Sequence, residues 1–531
     1  MKKVMTYLWD SHDRSKDILT MKHLRRLFTG GINNETGLSE TVKRTYSITQ
    51  LIGAVLGPLL FILIYWVLPL EGLSSDGRGV MAIITWVAVW WILEVMPLGI
   101  TSLLPIILLP IFTNVSGKEA ATSYADPLNF LFLGGFAIAL ALERWRLHER
   151  IAITVISFVG TSLSGLIIGF MLATGFLSMW VSNTATALLM IPIGTAIATK
   201  IIQLMRQEEG HTIEEEVKFE KSIIFAIGFG ATIGGSATLI GTPTNLILAG
   251  LSKELLGIDI SFARWMLFAV PLISILMVVA SIYLTKFAYP LNVKRIPGSV
   301  DFIAQTKKEL GKMSYEEKMV ALVFISTAFF WVTRSFLWIG VIPGISDTMI
   351  ALVGALLLYL IPSKRGDNGR LLDGSSLRKM PWDVLLLVGG GMAIAVGFSK
   401  TDLSEWAGHQ LLALQGTSYF IVLCVMTLIS ILMTQVTPNT ATGTILLPIA
   451  VTLALATNSH PLPLMAASAL GAGFAYMMPI STPSNAIIFA TGKITFRDML
   501  MKGTFLTFVT LFLIILFIYL LFPLIFHSNL I

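Results

Sequence analysis

Val181 to Ile193 reads VSNTATALLMIPI, and Thr437 to Ile449 reads TPNTATGTILLPI. At a constant shift of 256 residues, Asn183, Thr184, Ala185, Thr186, Pro192 and Ile193 recur as Asn439, Thr440, Ala441, Thr442, Pro448 and Ile449. The same shift carries Gly134-Gly135 onto Gly390-Gly391, and Ala137-Ile138-Ala139 onto Ala393-Ile394-Ala395. At a slightly shorter shift, Gly241-Thr242-Pro243-Thr244-Asn245 parallels Ser481-Thr482-Pro483-Ser484-Asn485. Three motifs in the same order at nearly the same spacing define an internal repeat.

The surroundings of the repeat set the class. Of 531 residues, 55% are hydrophobic and only 13% are charged, against about 25% charged in soluble domains. That composition excludes a soluble globular chain and a disordered one. Long apolar stretches recur and read as an all-α polytopic membrane protein. Spans are expected near 48–70, 79–97, 98–113, 128–142, 222–250, 263–289, 319–341, 347–362, 383–399, 462–490 and 503–526. Two further uncharged regions, about 155–200 and 416–457, surround the Asn-Thr motifs. The net charge of +6 comes from basic residues between apolar spans, as the positive-inside rule requires, so no nucleic-acid partner is expected. The single cysteine, Cys424, excludes an internal disulfide framework and a thiolate zinc site. The first 46 residues are polar and basic and show no cleavable signal peptide.

The cationic side chains orient the spans. The arm 1–46, with Lys2, Lys3, Arg14, Lys16, Lys22, Arg25, Arg26, Lys43 and Arg44, is expected in the cytoplasm. The loop 71–78, with Arg78 alone, fits the outside. Arg144, Arg146 and Arg150 mark a return inside, as do Lys286 to Lys312, Lys364 to Lys379, and Lys493 to Lys502. The tail 527–531 has no Lys or Arg and is expected outside. Eleven crossings satisfy all of these, so each uncharged region must enter and leave on one side. The span at 128–142 then ends inside while its partner at 383–399 begins inside, which makes the repeat inverted. Inverted repeats with interrupted segments at matching positions are a signature of secondary transporters. The halves run 47–289, with a hairpin near 163–200, and 319–526, with a hairpin near 416–457. Residues 290–318 form a cytoplasmic connector, and the Glu-rich stretch 204–221 reads as a solvated cytoplasmic helix or loop.

No Asp, Glu, Lys or Arg occurs from Ile151 to Thr199 or from Ala407 to Gly492. Each centre holds Asn-Thr-Ala-Thr followed by an apolar run, which predicts a short turn and a new helix start. Free backbone N–H groups at that start carry partial positive charge and suit a carboxylate. Carbonyls freed at the preceding helix end, with Ser, Thr and Asn oxygens, suit Na⁺. Such a helix break is tolerated at membrane depth only where it is buried in protein or lines a cavity. Pro243 and Pro483 remove a donor each and break two more spans. Taken singly, each Thr, Gly or Pro reads as an ordinary packing or helix-bridging residue of a membrane helix. The paired constellation is what points to binding.

These residues resemble the divalent anion/sodium symporter family, the DASS or INDY family of the solute carrier 13 group. The resemblance covers about Tyr46 to Phe526. It includes the paired hairpin tips, the paired Thr-Pro-x-Asn breaks and Glu94-Val95-Met96-Pro97-Leu98. It implies a homodimer in the cell membrane, with an elevator-type transport domain that carries two re-entrant hairpins. By the same resemblance, Ser178, Ser182, Asn183 and the backbone near Gly241 would hold one sodium ion. Thr434, Asn439 and the backbone near Ser481 would hold another. Asn183, Thr184, Asn439 and Thr440 would meet the substrate, with Thr242, Pro243, Thr482 and Pro483 lining the site. Where the family's second tip usually has Ser, this chain has Pro438, which lacks both a hydroxyl and a backbone N–H.

The expected activity is sodium-coupled uptake of C4 dicarboxylates such as succinate, fumarate and malate, with Na⁺ as the co-transported ion and no organic cofactor. A sodium-independent exchanger and a citrate or sulfate carrier of the same family are the nearest alternatives. A channel fits poorly because the repeat is two-fold within one chain. A membrane-embedded enzyme fits poorly because the chain has no His-Glu-x-x-His helix and no Gly-x-Ser-x-Gly elbow. Glu94, His409 and His460 read as interfacial side chains.

Overall fold

A computed structural model of the chain describes residues 47–207, 212–291, 297–365, 369–410 and 416–526. The expected cytoplasmic arm 1–46 and outer tail 527–531 lie outside the described residues, as do Glu208, Glu209, Lys294 and Arg295. Every regular element among the described residues is a helix. Apolar chain in lipid has to satisfy its backbone internally, and helices do so segment by segment.

The first half begins with α1 (Ile48–Ile62), opened by a capping box between Ser47 and Gln50. Then come α2 (Ser75–Ile92), α3 (Leu98–Thr101), α4 (Leu104–Phe112) and the short α5 (Gly117–Thr122). Asp126 caps α6 (Pro127–Arg144), which is followed by α7 (Leu147–Val159). The arms of the first hairpin are α8 (Leu163–Ser178) and α9 (Asn183–Met205). A broken pair follows, α10 (Ile213–Gly235) and α11 (Pro243–Leu256), and then α12 (Phe262–Ile282). Among its described residues, the connector carries α13 (Ser299–Glu309).

The second half opens with α14 (Tyr315–Thr333) and α15 (Asp347–Leu360). It then repeats the order of the first: α16 (Trp382–Lys400), the short α17 (Leu403–Gln410), and hairpin arms α18 (Tyr419–Met433) and α19 (Asn439–Ala456). The broken pair α20 (Pro461–Gly473) and α21 (Pro483–Ala490) and the long α22 (Phe496–Leu520) follow, with α23 (Phe522–Phe526) last. Among the described residues, eight helical segments are long and apolar enough to cross a membrane, and five shorter apolar helices accompany them.

Three expectations are corrected. The span expected over 98–113 is interrupted between α3 and α4, where the Ser102 hydroxyl turns back onto the Leu98 carbonyl at 2.7 Å. The loop expected over 71–78 already contains the start of α2, so Arg78 lies on a helix, its Nε donating to the Leu73 carbonyl. The stretch 204–221 is more than a solvated face: Glu215 and Glu216 are buried, and Arg206 donates to Glu216 at 2.7 Å.

The hairpin arms pack into the broken helices. Along α8 and α10 the backbones nearly touch, and a Cβ on Gly234 would lie 2.1 Å from the Gly175 carbonyl oxygen. In the second half, the Ser430 hydroxyl on α18 donates to the Ser468 carbonyl on α20 at 2.6 Å. The largest apolar core joins α6 through α12 to α18 through α22. A smaller cluster joins α1, α2 and α4 to α16 and α17. The repeated Gly-Gly pairs meet different neighbours: Gly134 faces Ala351 on α15, whereas Gly390 faces Ser102.

Candidate substrate and ion site

Both hairpins turn at the Asn-Thr motif. At the first tip, Ser182 caps α9 by accepting the Ala185 N–H at 3.3 Å. At the second tip Pro438 occupies the capping position and makes no side-chain bond to α19. The first amides of α19 therefore have no side-chain acceptor at that position, and the partial positive charge of the helix start is unscreened there.

Behind each tip lies the same buried triangle. Ser178 Oγ lies 2.8 Å from Asn183 Oδ1 and 2.7 Å from the Ala231 carbonyl oxygen. Thr434 Oγ1 lies 2.7 Å from Asn439 Oδ1 and 2.7 Å from the Ala472 carbonyl oxygen. Both hydroxyl residues are fully buried. Around the first triangle, oxygens converge on the α10–α11 break. A Cβ on Gly241 would lie 2.3 Å from the Gly235 carbonyl oxygen and 2.8 Å from that of Ser178. A Cβ on Gly235 would meet Asn183 Oδ1 at 2.0 Å. Only glycine admits so close an approach at these two positions. A cluster of neutral oxygen donors of this kind fits a hard monovalent cation.

The breaks themselves are held by side-chain amides. Asn245 Nδ2 donates to the Ser236 and Thr238 carbonyls at 3.1 and 2.8 Å. Asn485 Nδ2 donates to the Ala475 and Met478 carbonyls at 3.0 and 3.1 Å. Each amide thus replaces lost helical partners of an unwound segment, which buried backbone requires.

The tips and breaks meet in one cavity of about 660 Å³. Asn183, Thr184, Asn439, Thr440, Thr242, Pro243, Thr482 and Pro483 all line it, as do Ser182, Gly241 and Ser481. Ser178 and Thr434 stand behind the tips and do not line it. Its remaining wall was not foreseen from the repeat: Leu98, Phe132, Phe136, Pro381 and Leu387 from α3, α6 and the start of α16, with exposed Glu94 and Asp383. No Lys or Arg is among the lining residues. Glu94, expected at an interface, sits in this wall with a left-handed backbone (φ 45°), its carbonyl accepting Gln50 Nε2 at 2.8 Å. His460 caps α20, its Nδ1 accepting the Leu462 N–H at 3.2 Å, and lines a separate cavity with Glu405. Gln435, one position beyond Thr434, was also missed; the signal was an amide in the apolar run 419–436.

An all-helical, multi-pass chain whose two halves each place a polar hairpin tip in one cavity defines a membrane transporter of repeat architecture. The chain matches the family model described as the sodium:sulfate symporter transmembrane region over residues 49–527, and it belongs to that family, the divalent anion/sodium symporters. It is 44% identical over 485 residues to the sodium-dependent dicarboxylate transporter SdcS of Staphylococcus saprophyticus, across 90% of this chain and 93% of the relative. It is 43% identical over 488 residues to the SdcS of Staphylococcus aureus strain USA300, across 91% and 93%. In fold it is similar to the Alcanivorax borkumensis YdaH transporter, with a TM-score of 0.51 at 10% identity, covering 77% of this chain and 90% of that one.

Proposed function

We propose that this protein carries C4 dicarboxylates across the cell membrane together with Na⁺. The observation that carries the reading is the convergence of two Asn-Thr helix starts on a cavity lined by no basic side chain. A dianion held there has two helix starts for its two carboxylates, and Na⁺ on the oxygen clusters behind the tips offsets the remaining charge. The names of the staphylococcal relatives, sodium-dependent dicarboxylate transporters, support the same chemistry.

Each ligand raises the affinity of the other, because both order the same tips and the coupling is reciprocal. Ser178, Asn183 and the Gly235 and Gly241 backbone hold one ion, with Ser182 holding the tip by its cap. Thr434, Asn439 and the backbone at Ser481 hold the other. Eleven crossings with the N-terminus inside and the C-terminus outside put Glu94 and Asp383 on the cytoplasmic side, so the cavity described here is the inward-facing one. Transport then follows an elevator movement of the hairpins, broken helices, α12 and α22 against the remaining helices, in a homodimer.

Uptake of labelled succinate into proteoliposomes, with Na⁺ replaced by K⁺ or choline, tests this. Uptake is expected to depend on inward Na⁺ and to be competed by fumarate and malate. Undiminished uptake without Na⁺ would sink the symport reading in favour of an exchanger, and preferential competition by citrate or sulfate would reassign the substrate.

A further inference from the structure

We propose that Gln435 is a positioning residue for the second ion site: its amide holds the unwound segment after α20 in the shape that offers carbonyl oxygens to Na⁺. The proposal rests on the sodium-coupled reading above. Gln435 is buried and uses all of its hydrogen-bonding capacity. Its Nε2 donates to the Ile431 carbonyl at 2.7 Å and the Phe474 carbonyl at 3.1 Å. Its Oε1 accepts the N–H groups of Tyr476 and Met477, each at 3.0 Å. One side chain in the hairpin turn just after α18 therefore fixes three residues of the break.

The neighbours complete a consecutive set. Thr434 takes the Ala472 carbonyl, Asn439 Nδ2 takes the Gly473 carbonyl at 3.1 Å, Gln435 takes Phe474, and Asn485 takes Ala475 and Met478. Without Gln435, the N–H groups of Tyr476 and Met477 and the Phe474 carbonyl would lose these hydrogen-bond partners in a largely buried segment, so the segment would have to shift. The segment lies next to Thr434 and Asn439, so a shift there would move the oxygens of the second ion site relative to one another.

The first half lacks this device. The 256-residue shift places Met179 opposite Gln435, and a thioether cannot bridge donors and acceptors in this way. Here the break is held by other groups: Thr238 Oγ1 bonds the Met179 carbonyl and accepts the Gly241 N–H at 3.1 Å, and the Trp265 indole donates to the Ser236 carbonyl at 3.2 Å. Removing the Gln435 amide should therefore affect one ion site and spare the other.

The test is succinate uptake by the full-length protein in proteoliposomes, as a function of Na⁺ and then of succinate at saturating Na⁺. Gln435→Leu is expected to raise half-saturating Na⁺ by about tenfold and half-saturating succinate at saturating Na⁺ by less than about threefold. Gln435→Glu keeps the acceptor oxygens for Tyr476 and Met477 while giving up the donors to Ile431 and Phe474; it carries the test if Gln435→Leu fails to fold, and its half-saturating Na⁺ is expected to lie within about threefold of the parent. Thr327→Val, which removes a buried hydroxyl bonded to the Val323 carbonyl within α14, is the control and should leave both constants unchanged. An unaltered Na⁺ constant in Gln435→Leu, equal increases in both constants, or no recovery in Gln435→Glu would each overturn the proposal. Parent uptake indifferent to Na⁺ would instead overturn the sodium-coupled reading, and the proposal with it.

Discussion

Ser178 Oγ lies 2.8 Å from Asn183 Oδ1, and 256 residues later Thr434 Oγ1 lies 2.7 Å from Asn439 Oδ1. Each hydroxyl also reaches a carbonyl of the neighbouring broken helix, at Ala231 and Ala472. The pair thus ties the last turn of one hairpin arm, the first residue of the next and the helix before the break into one polar unit. Ser178→Ala removes the hydroxyl from the first unit. Half-saturating Na⁺ for uptake is expected to rise by about tenfold, equivalent to about 1.4 kcal/mol, with little change in maximal rate. Flux against Na⁺ concentration checks this.

The second tip lacks the cap of the first. Pro438→Ser restores a hydroxyl where Ser182 stands in the first half. An N-cap Ser contributes about 1 kcal/mol, so the variant is expected to melt about 1–2 °C higher. Its added hydroxyl at the cavity should also tighten half-saturating dicarboxylate. Thermal unfolding in detergent and flux against succinate read the two effects separately.

The contact between α8 and α10 has no room for a side chain. Gly234→Val would drive its Cβ to 2.1 Å from the Gly175 carbonyl oxygen, a backbone atom that cannot swing aside. Overpacking of this kind costs about 1–3 kcal/mol or more, so the folded yield in membranes is expected to collapse. Gly340→Ala, where nothing lies within 4 Å, should be silent. Fluorescence-detected size-exclusion profiles of the two variants make the comparison.

His460 gives a pH-dependent component of stability. Burial holds its pKa below the ordinary value of 6.5, and the neutral ring caps α20. Above 6.5 both folded and unfolded chains carry a neutral imidazole. As pH falls below 6.5 the unfolded chain binds the proton first, so stability is lost until the folded ring protonates as well. His460→Asn keeps a capping acceptor and removes the titration. Its melting temperature is expected to fall less than the parent's between about pH 7 and about pH 5.

Much of the site was legible because its parts are local. A helix start after Asn183 or Asn439 follows from a short polar turn before an apolar run. A break at Pro243 or Pro483 follows from a missing N–H. The burial of Glu215 and Glu216 was not legible, because it depends on Arg206 and on packing that a run of acids does not encode. The break at Ser102 was hidden for the opposite reason: apolar residues on both sides disguise a local turn.

The sequence by itself determined the class, the repeat and the two hairpins, since periodicity, capping and proline effects act within a few positions, while the family resemblance supplied eight of the residues that line the cavity. Only the tertiary structure decided which groups complete the site. Gln435 finds partners 39 to 42 residues away, and Asn439 reaches the Gly473 carbonyl 34 residues on. Glu94, Phe132 and Asp383 reach the wall from the segment before α3 and from α6 and α16, whose repeated Gly-Gly pairs do not mark these positions. Such contacts depend on how elements stack across the bilayer, a property of the assembled chain that no short window of residues records.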